Sequence, residues 1–343
     1  MQDLRIGCIG CGFIGEIHLR NAAGMPGLSI RAVADVNEMA ARAFYEQFHP
    51  EYWTTDAQRL LDDPLVDAVL ICTYSTSHAE LAIRSAQAGK HIFLEKPMAT
   101  SSADCLRILQ ACQQTGVLLS LDLKFRFSLA AQRVKREIPN PVLIHCQVGM
   151  DKMPDDHFHM DPDHGGGIIE NLGAHSLDLA CFLAGSEPAQ VTARGSRLAD
   201  RVKTSYDAVV GTLEFTNGCL ASFLISDCGE WSYPSKWFYE ITDGHRNATI
   251  HNHCRTAIFE GSVGGSVDEA YIAAHEVGSY RALQDFIAAI RDKRPPEVGA
   301  LDGLRTALIV EGILSSIRCG KAVTLAIPTH PLLAGQIELS RQS

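Results

Sequence analysis

Arg5-Ile6-Gly7-Cys8-Ile9-Gly10-Cys11-Gly12-Phe13-Ile14-Gly15 joins an apolar run to a G-x-G-x-x-G. Arg5 to Ile9 reads as a strand, and residues 13 to 23 read as a helix. Gly10 allows a tight turn, Gly12 lets a pyrophosphate reach the backbone, and Gly15 lets helix and strand pack closely. The helix start at Phe13 and Ile14 supplies N–H groups and a positive dipole end for phosphates. A second apolar run, Leu28 to Ala34, ends in Asp35, 20 residues after Gly15. A carboxylate there accepts both ribose hydroxyls of an adenosine and repels a 2′-phosphate. Val36 and Asn37 follow, with no cation to hold such a phosphate. The cofactor expected from these residues is NAD rather than NADP.

The βαβ rhythm continues to about residue 122. Helical patterns at 38–48 and 56–61 are followed by Val66 to Thr73, a nearly continuous apolar strand of the kind found in parallel sheets. Ser77 to Ala88 reads as a helix closed by Gly89, 101–115 as a helix closed by Gly116, and Val117 to Leu123 as a strand. Between those helices lies His91-Ile92-Phe93-Leu94-Glu95-Lys96-Pro97, a short buried strand that delivers a carboxylate, an amine and a proline. Open α/β sheets bind ligands at the carboxyl ends of their strands. Lys96 and Glu95 are therefore candidate site residues, Glu95 either bonding the cofactor or holding Lys96. Thr73, Ser75 and His78 lie at another such strand end and are candidate cofactor contacts. The expected fold is α/β: a doubly wound parallel sheet over residues 1–122, the NAD-binding domain, and an α+β domain with an open, mostly antiparallel sheet over 123–343.

In that second part, strand-like runs dominate: 141–149, 190–197, 206–216, 218–226, 236–242, 247–251 and 322–327, with helices at 128–137, 280–291 and 302–317. Gly165-Gly166-Gly167 opens one more helix, from about Ile168 to Ala184, on which Asn171, His175 and Asp178 share a face. A polar stripe on an apolar helix must find partners or line a wet cavity. Lys124 and Arg126 either contact an anionic group of the substrate or pair with acids. Residues 155–164 hold three histidines and four aspartates, but their spacing matches no zinc pattern, and no metal is expected.

The 343 residues carry a formal charge of −10, which argues against a nucleic-acid surface. No apolar run approaches the ~20 residues of a membrane span. The eleven cysteines sit mostly inside apolar segments, as buried thiols of a reducing compartment do. With no signal-peptide pattern at the N-terminus, a cytoplasmic protein is expected.

The Gly10-to-Gly15 loop, Glu95-Lys96-Pro97, the triglycine helix with His175 and Asp178, and Asp302-Gly303-Leu304 together resemble the glucose–fructose oxidoreductase / inositol dehydrogenase / MocA family. The resemblance spans nearly the whole chain. It implies a Rossmann domain followed by an open-faced domain, a nicotinamide cofactor, and a sugar, polyol or cyclitol substrate. It also implies a homo-oligomer, dimer or tetramer, formed through the C-terminal sheet. Lys96 and His175 match the residues that contact the reacting hydroxyl in such proteins. The position of Asn171 is usually aspartate there, and that of Tyr74 commonly proline. Asparagine cannot take a proton, though it can orient a hydroxyl.

The expected activity is reversible oxidation of a secondary alcohol, with Lys96 as general acid/base, His175 beside it, and Lys96, Arg126, Asn171 and His175 as substrate contacts. A NAD-assisted glycoside-cleaving enzyme, with transient oxidation followed by elimination, uses the same residues. A non-catalytic NAD-binding protein is the third reading, motivated by Asn171. Specificity is expected in loops 151–164 and around Trp231 to Trp237.

Overall fold

The computed structural model describes residues 3–151, 167–197, 206–229, 236–260 and 277–328. Strands β1 (Leu4–Ile9), β2 (Leu28–Ala34), β3 (Tyr52–Thr54), β4 (Ala68–Ile71), β5 (His91–Leu94) and β6 (Leu119–Leu121) form a parallel sheet in the order β3-β2-β1-β4-β5-β6. The order reverses between β1 and β4, and their carboxyl ends flank the crevice where such sheets bind ligands. Every residue of β4 is buried, as expected of a strand covered on both faces. Helices α1 (Phe13–Ala23), α2 (Glu38–Phe48), α3 (Ala57–Leu61), α4 (Ser75–Gln87) and α5 (Ser102–Thr115) connect these strands. Asn37, Asp56 and Ser101 cap α2, α3 and α5 through their side-chain oxygens, which explains where those helices begin. The short strand β3 was not anticipated, because three residues carry no readable period. Pairing with β2 makes it a strand, and Arg31, Arg59 and Arg42 stack over its Tyr52 and Trp53 rings.

A 3₁₀ turn (Lys124–Phe127) and α6 (Leu129–Glu137) lead into the second sheet. Its strands are β7 (Leu143–Gly149), β8 (Pro188–Ser196), β9 (Ala208–Phe215), β10 (Leu220–Ser226), β11 (Trp237–Thr242), β12 (Asn247–His251), β13 (Thr256–Phe259) and β14 (Val323–Thr324). They run in the order β13-β12-β11-β7-β10-β9-β8-β14, antiparallel except for β7 against β10. Helix α7 (Ile168–Ala184) packs against β7 and β10 and is buried nearly all round. Strand β13 also escaped the sequence reading. Asn252, His253 and Cys254 turn the chain back with positive φ, a tight reversal made without glycine or proline to announce it.

The chain then returns to the first sheet. Ala282, Leu283, Phe286 and Ile287 of α8 (Ser279–Asp292) join the core beneath β5, with the Phe286 and Phe93 rings 5.7 Å apart. Helix α9 (Ala300–Cys319) serves both cores, Leu304 and Leu308 entering the first and Ile309 and Ile313 the second. Among the described residues no helix is long and apolar enough to cross a membrane.

Candidate active site

Ile92, Phe93 and Leu94 are fully buried, so β5 ends as a rigid post at Glu95, Lys96 and Pro97. The Lys96–Pro97 peptide is cis. Lys96 Nζ donates to Asn171 Oδ1 across the junction of the two sheets. His175 lies one turn further along α7, its ring 4.9 Å from that of Phe125 and 6.1 Å from that of Trp237. His175 Nδ1 is buried and has no partner among the described residues. Burial, then the charges of Lys96 and Lys124, push His175 well below its ordinary value, against the pull of Glu95. Burial also lowers Lys96; Glu95 opposes it, Lys124 adds to it, and Asp122 opposes it. The site thus favours a neutral imidazole beside an amine that holds its proton less tightly than an ordinary lysine.

The glycine loop fits a dinucleotide. Gly10 has φ 100°, and a Cβ there would stand 2.6 Å from the Cys72 backbone. A Cβ on Gly15 would meet the Gly10 carbonyl at 2.2 Å, whereas one on Gly12 would meet nothing within 4 Å. Gly12 therefore leaves open space beside the start of α1, which no side chain caps. Asp35 accepts from the backbone N–H of Cys11 at 2.7 Å and of Asn37 at 2.8 Å. Each oxygen keeps a lone pair for a ribose hydroxyl. Arg42, one turn into α2, is held by Glu38 at 2.7 Å and stacks over Trp53.

Some expected site residues have other work. Arg126 is not placed as a substrate contact. Its guanidinium donates to both oxygens of Asp178 and, at 2.9 Å, to Asp302, and it is only 9% exposed. A buried cation must be paired, and a planar fork meets a carboxylate best. Asp178, on the same helical stripe as Asn171 and His175, is thereby spent on structure. His78 is likewise not a free cofactor ligand. Its ring nitrogens lie 2.7 Å from the Pro97 carbonyl and 3.0 Å from that of Thr73, tying α4 to the Lys96 loop. Thr73 Oγ1 accepts from Ser77 at 2.7 Å, and Ser75 is buried in the first turn of α4. Glu95 is turned inward: Oε2 accepts the Lys96 backbone N–H at 3.1 Å and Oε1 meets His18 at 2.8 Å. It holds Lys96 through the main chain.

His18, Asp122 and Phe125 were not singled out from sequence, whereas Trp237 was named as an edge of an expected specificity segment. His18 lies three residues after Gly15 on a helix that must pack inward, the one signal that was available. The His/Asp-rich stretch 155–164 and Trp231 lie outside the described residues.

Residues 4–123 match the model of an oxidoreductase family with an NAD-binding Rossmann fold, and residues 130–244 match the GFO/IDH/MocA C-terminal domain. The chain belongs to the GFO/IDH/MocA oxidoreductase family. It is 28% identical over 335 residues to myo-inositol 2-dehydrogenase of Thermotoga maritima, spanning 94% of this chain and 98% of that protein. It is 25% identical over 337 residues to scyllo-inositol 2-dehydrogenase (NAD(+)) of Bacillus subtilis, spanning 95% and 97%. The fold matches the crystal structure of aldose–aldose oxidoreductase from Caulobacter crescentus complexed with glycerol with a TM-score of 0.84, at 24% identity, over 94% of this chain and 100% of that one. As a member of this family the chain is an oxidoreductase whose first domain is an NAD-binding Rossmann fold.

Proposed function

We propose that the protein is an NAD-dependent dehydrogenase that reversibly oxidises a secondary hydroxyl of a sugar, sugar derivative or cyclitol. The observation that carries the reading is the hydrogen bond from Lys96 to Asn171 at the carboxyl end of β5, with His175 one turn along the same helix. The inositol 2-dehydrogenases among the relatives support the substrate class.

Bound NAD supplies the hydride acceptor. Lys96, as the free amine, donates one N–H to Asn171 and keeps its lone pair for the substrate hydroxyl proton. Asn171 fixes the direction of that lone pair and has no acidic proton of its own. Neutral His175 hydrogen-bonds the same oxygen as it changes from hydroxyl to carbonyl. Phe125 and Trp237 beside His175 offer apolar surface to the carbon face of a ring and keep water from the reacting oxygen. In this reading residues 1–122 are the NAD-binding unit and 123–343 the substrate and oligomerisation unit, with α8 and the first half of α9 packed onto the former.

The test is NADH formation across a panel of cyclitols, aldoses, sugar acids and glycosides. On the substrate that responds, Lys96→Ala should lower turnover about 10²–10⁴-fold while NADH binding persists. Near-normal turnover by that variant would overturn the assignment. Release of aglycone without net NADH would replace the dehydrogenase by redox-assisted cleavage.

The reading takes the protein as a cytoplasmic homo-oligomer. Its eleven cysteines are all free. Leu143, Val210 and Leu220 stand about half-exposed on the second sheet, which suits contact with a second copy. Light scattering should return a dimer or tetramer; a monomer at micromolar concentration would remove that part of the reading.

A further inference from the structure

His18, Glu95 and Asp122 come from α1 and from the ends of β5 and β6, and they meet at the base of the Lys96 loop. They are 1%, 8% and 2% exposed. His18 Nε2 lies 2.8 Å from Glu95 Oε1 and 3.6 Å from Asp122 Oδ2. The far atoms, His18 Nδ1 and Asp122 Oδ1, are buried without partners among the described residues. The Phe93 ring closes one side, 5.1 Å from the imidazole. The donor atoms lie within 4.8 Å of one another, as metal ligands would. The direct His18–Glu95 bond instead marks the cluster as one that shares protons.

Two carboxylates and an imidazole in a dry space cannot all be charged. An imidazolium bonded to an ionised Glu95, with Asp122 protonated, carries no net charge and keeps the two charges in direct contact. We propose that His18 and Asp122 are positioning residues for Lys96: each holds one proton, so the cluster beside the amine stays neutral and Lys96 remains a free base. The inference rests on the reading of Lys96 as the acid/base group. The electrostatics agree in direction. Burial opposes charge on His18, but Glu95 and Asp122 together raise it. Burial, then Glu95, pushes Asp122 up to about 7. Against burial, His18 and Lys96 hold Glu95 far below the carboxylate range.

The other groups facing the cluster and Lys96 are accounted for. Cys72, half-buried and hydrogen-bonded to Cys8, is pushed far up and stays a thiol. Burial lowers His78, against the pull of the Pro97 and Thr73 carbonyls, and lowers His175 further. Lys124, on the 3₁₀ turn, opposes charge on Lys96.

The proton affinity of Lys96 can be read without turnover, by trace acetylation of the full-length protein with acetic anhydride across a pH series and mass spectrometry of the Lys96 peptide. His18→Gln removes the cation that offsets Glu95 and should raise the apparent pKa of Lys96 by about one unit. That is the scale of a unit charge several ångströms away at an effective dielectric near 20. Asp122→Asn puts a neutral amide where a protonated acid stands and should leave the apparent pKa of Lys96 in place. NADH binding by fluorescence checks that each variant is folded. An upward shift for His18→Gln with none for Asp122→Asn supports the proposal, and any other pattern overturns it. In the unaltered protein, ¹⁵N NMR of the His18 ring should report an imidazolium at neutral pH; a neutral ring would overturn the proposal even if the variants did not fold. These readouts hold whether or not any sugar of the panel is oxidised, so failure here is distinct from failure of the dehydrogenase reading.

Discussion

Asn171 is the residue at which this chain departs from the pattern it resembles, and its contact makes the departure testable. Lys96 Nζ donates to its amide oxygen, a neutral acceptor, and among the described residues no carboxylate pairs with the amine. The ordinary lysine value is 10.5, and burial lowers it here. Oxidation requires the free amine, so the rate should rise with pH through that lowered value. Asn171→Asp adds an anion that favours the ammonium. It should move the acid limb of the kcat/KM profile to higher pH by about 1–3 units. A limb that stays in place would show that Lys96 is not the titrating group. Lys96 and His175 were legible in the sequence because each sits in a local pattern, one at a strand end and the other on a helical stripe. His18 was not. Its partner Glu95 is 77 positions away, and a histidine on an inward helix face carries no mark of the acid it will meet.

Among the elements, the loop between β1 and α1 was the most readable. Its glycines answer to sterics that act within a few residues, and Asp35 answers to a fixed strand length. Asp35 reaches across to the Cys11 N–H, so this loop and the end of β2 are tied together. Asp35→Ala removes charge-assisted bonds worth about 1.5–3 kcal/mol each. NADH affinity should fall at least tenfold while NADPH affinity falls less, as read by fluorescence titration with both cofactors. An equal loss for both would remove Asp35 as the discriminating residue. Helix α7 was readable in extent but not in orientation. Nearly all of it is buried, so hydropathy does not tell which face meets the crevice and which meets Arg126.

At the scale of the molecule, the two sheets are joined by α9 and by a buried ion network. Arg126 pairs with Asp178 and Asp302, Asp302 also accepts from Arg305 at 2.6 Å, and Arg305 grips Glu187 at 2.5 and 2.6 Å. These bonds link the 3₁₀ turn, α7, α9 and the start of β8, so they hold the wall carrying Asn171 and His175 against the post carrying Lys96. Removing one partner of a buried pair leaves an uncompensated charge. Arg126→Met should therefore lower the unfolding free energy in urea by roughly 3–5 kcal/mol, and adding Asp178→Asn should recover part of the loss. A change within experimental error would assign the network to the surface.

Glycine spacing, apolar runs and one acid at a set distance were enough to derive the parallel sheet, the NAD loop and the strand-end lysine, because each depends on neighbours within a turn or a strand. The fate of Arg126 does not. A guanidinium has five donors, and no spacing rule selects the acid that receives them. Only the packing of α7 and α9 around the 3₁₀ turn brought Asp178 and Asp302 to it, and so turned a candidate substrate contact into the joint between two domains. The same holds for the buried group behind Lys96. His18, Glu95 and Asp122 are ordinary residues in their own segments, and they become one buried cluster because three elements converge there.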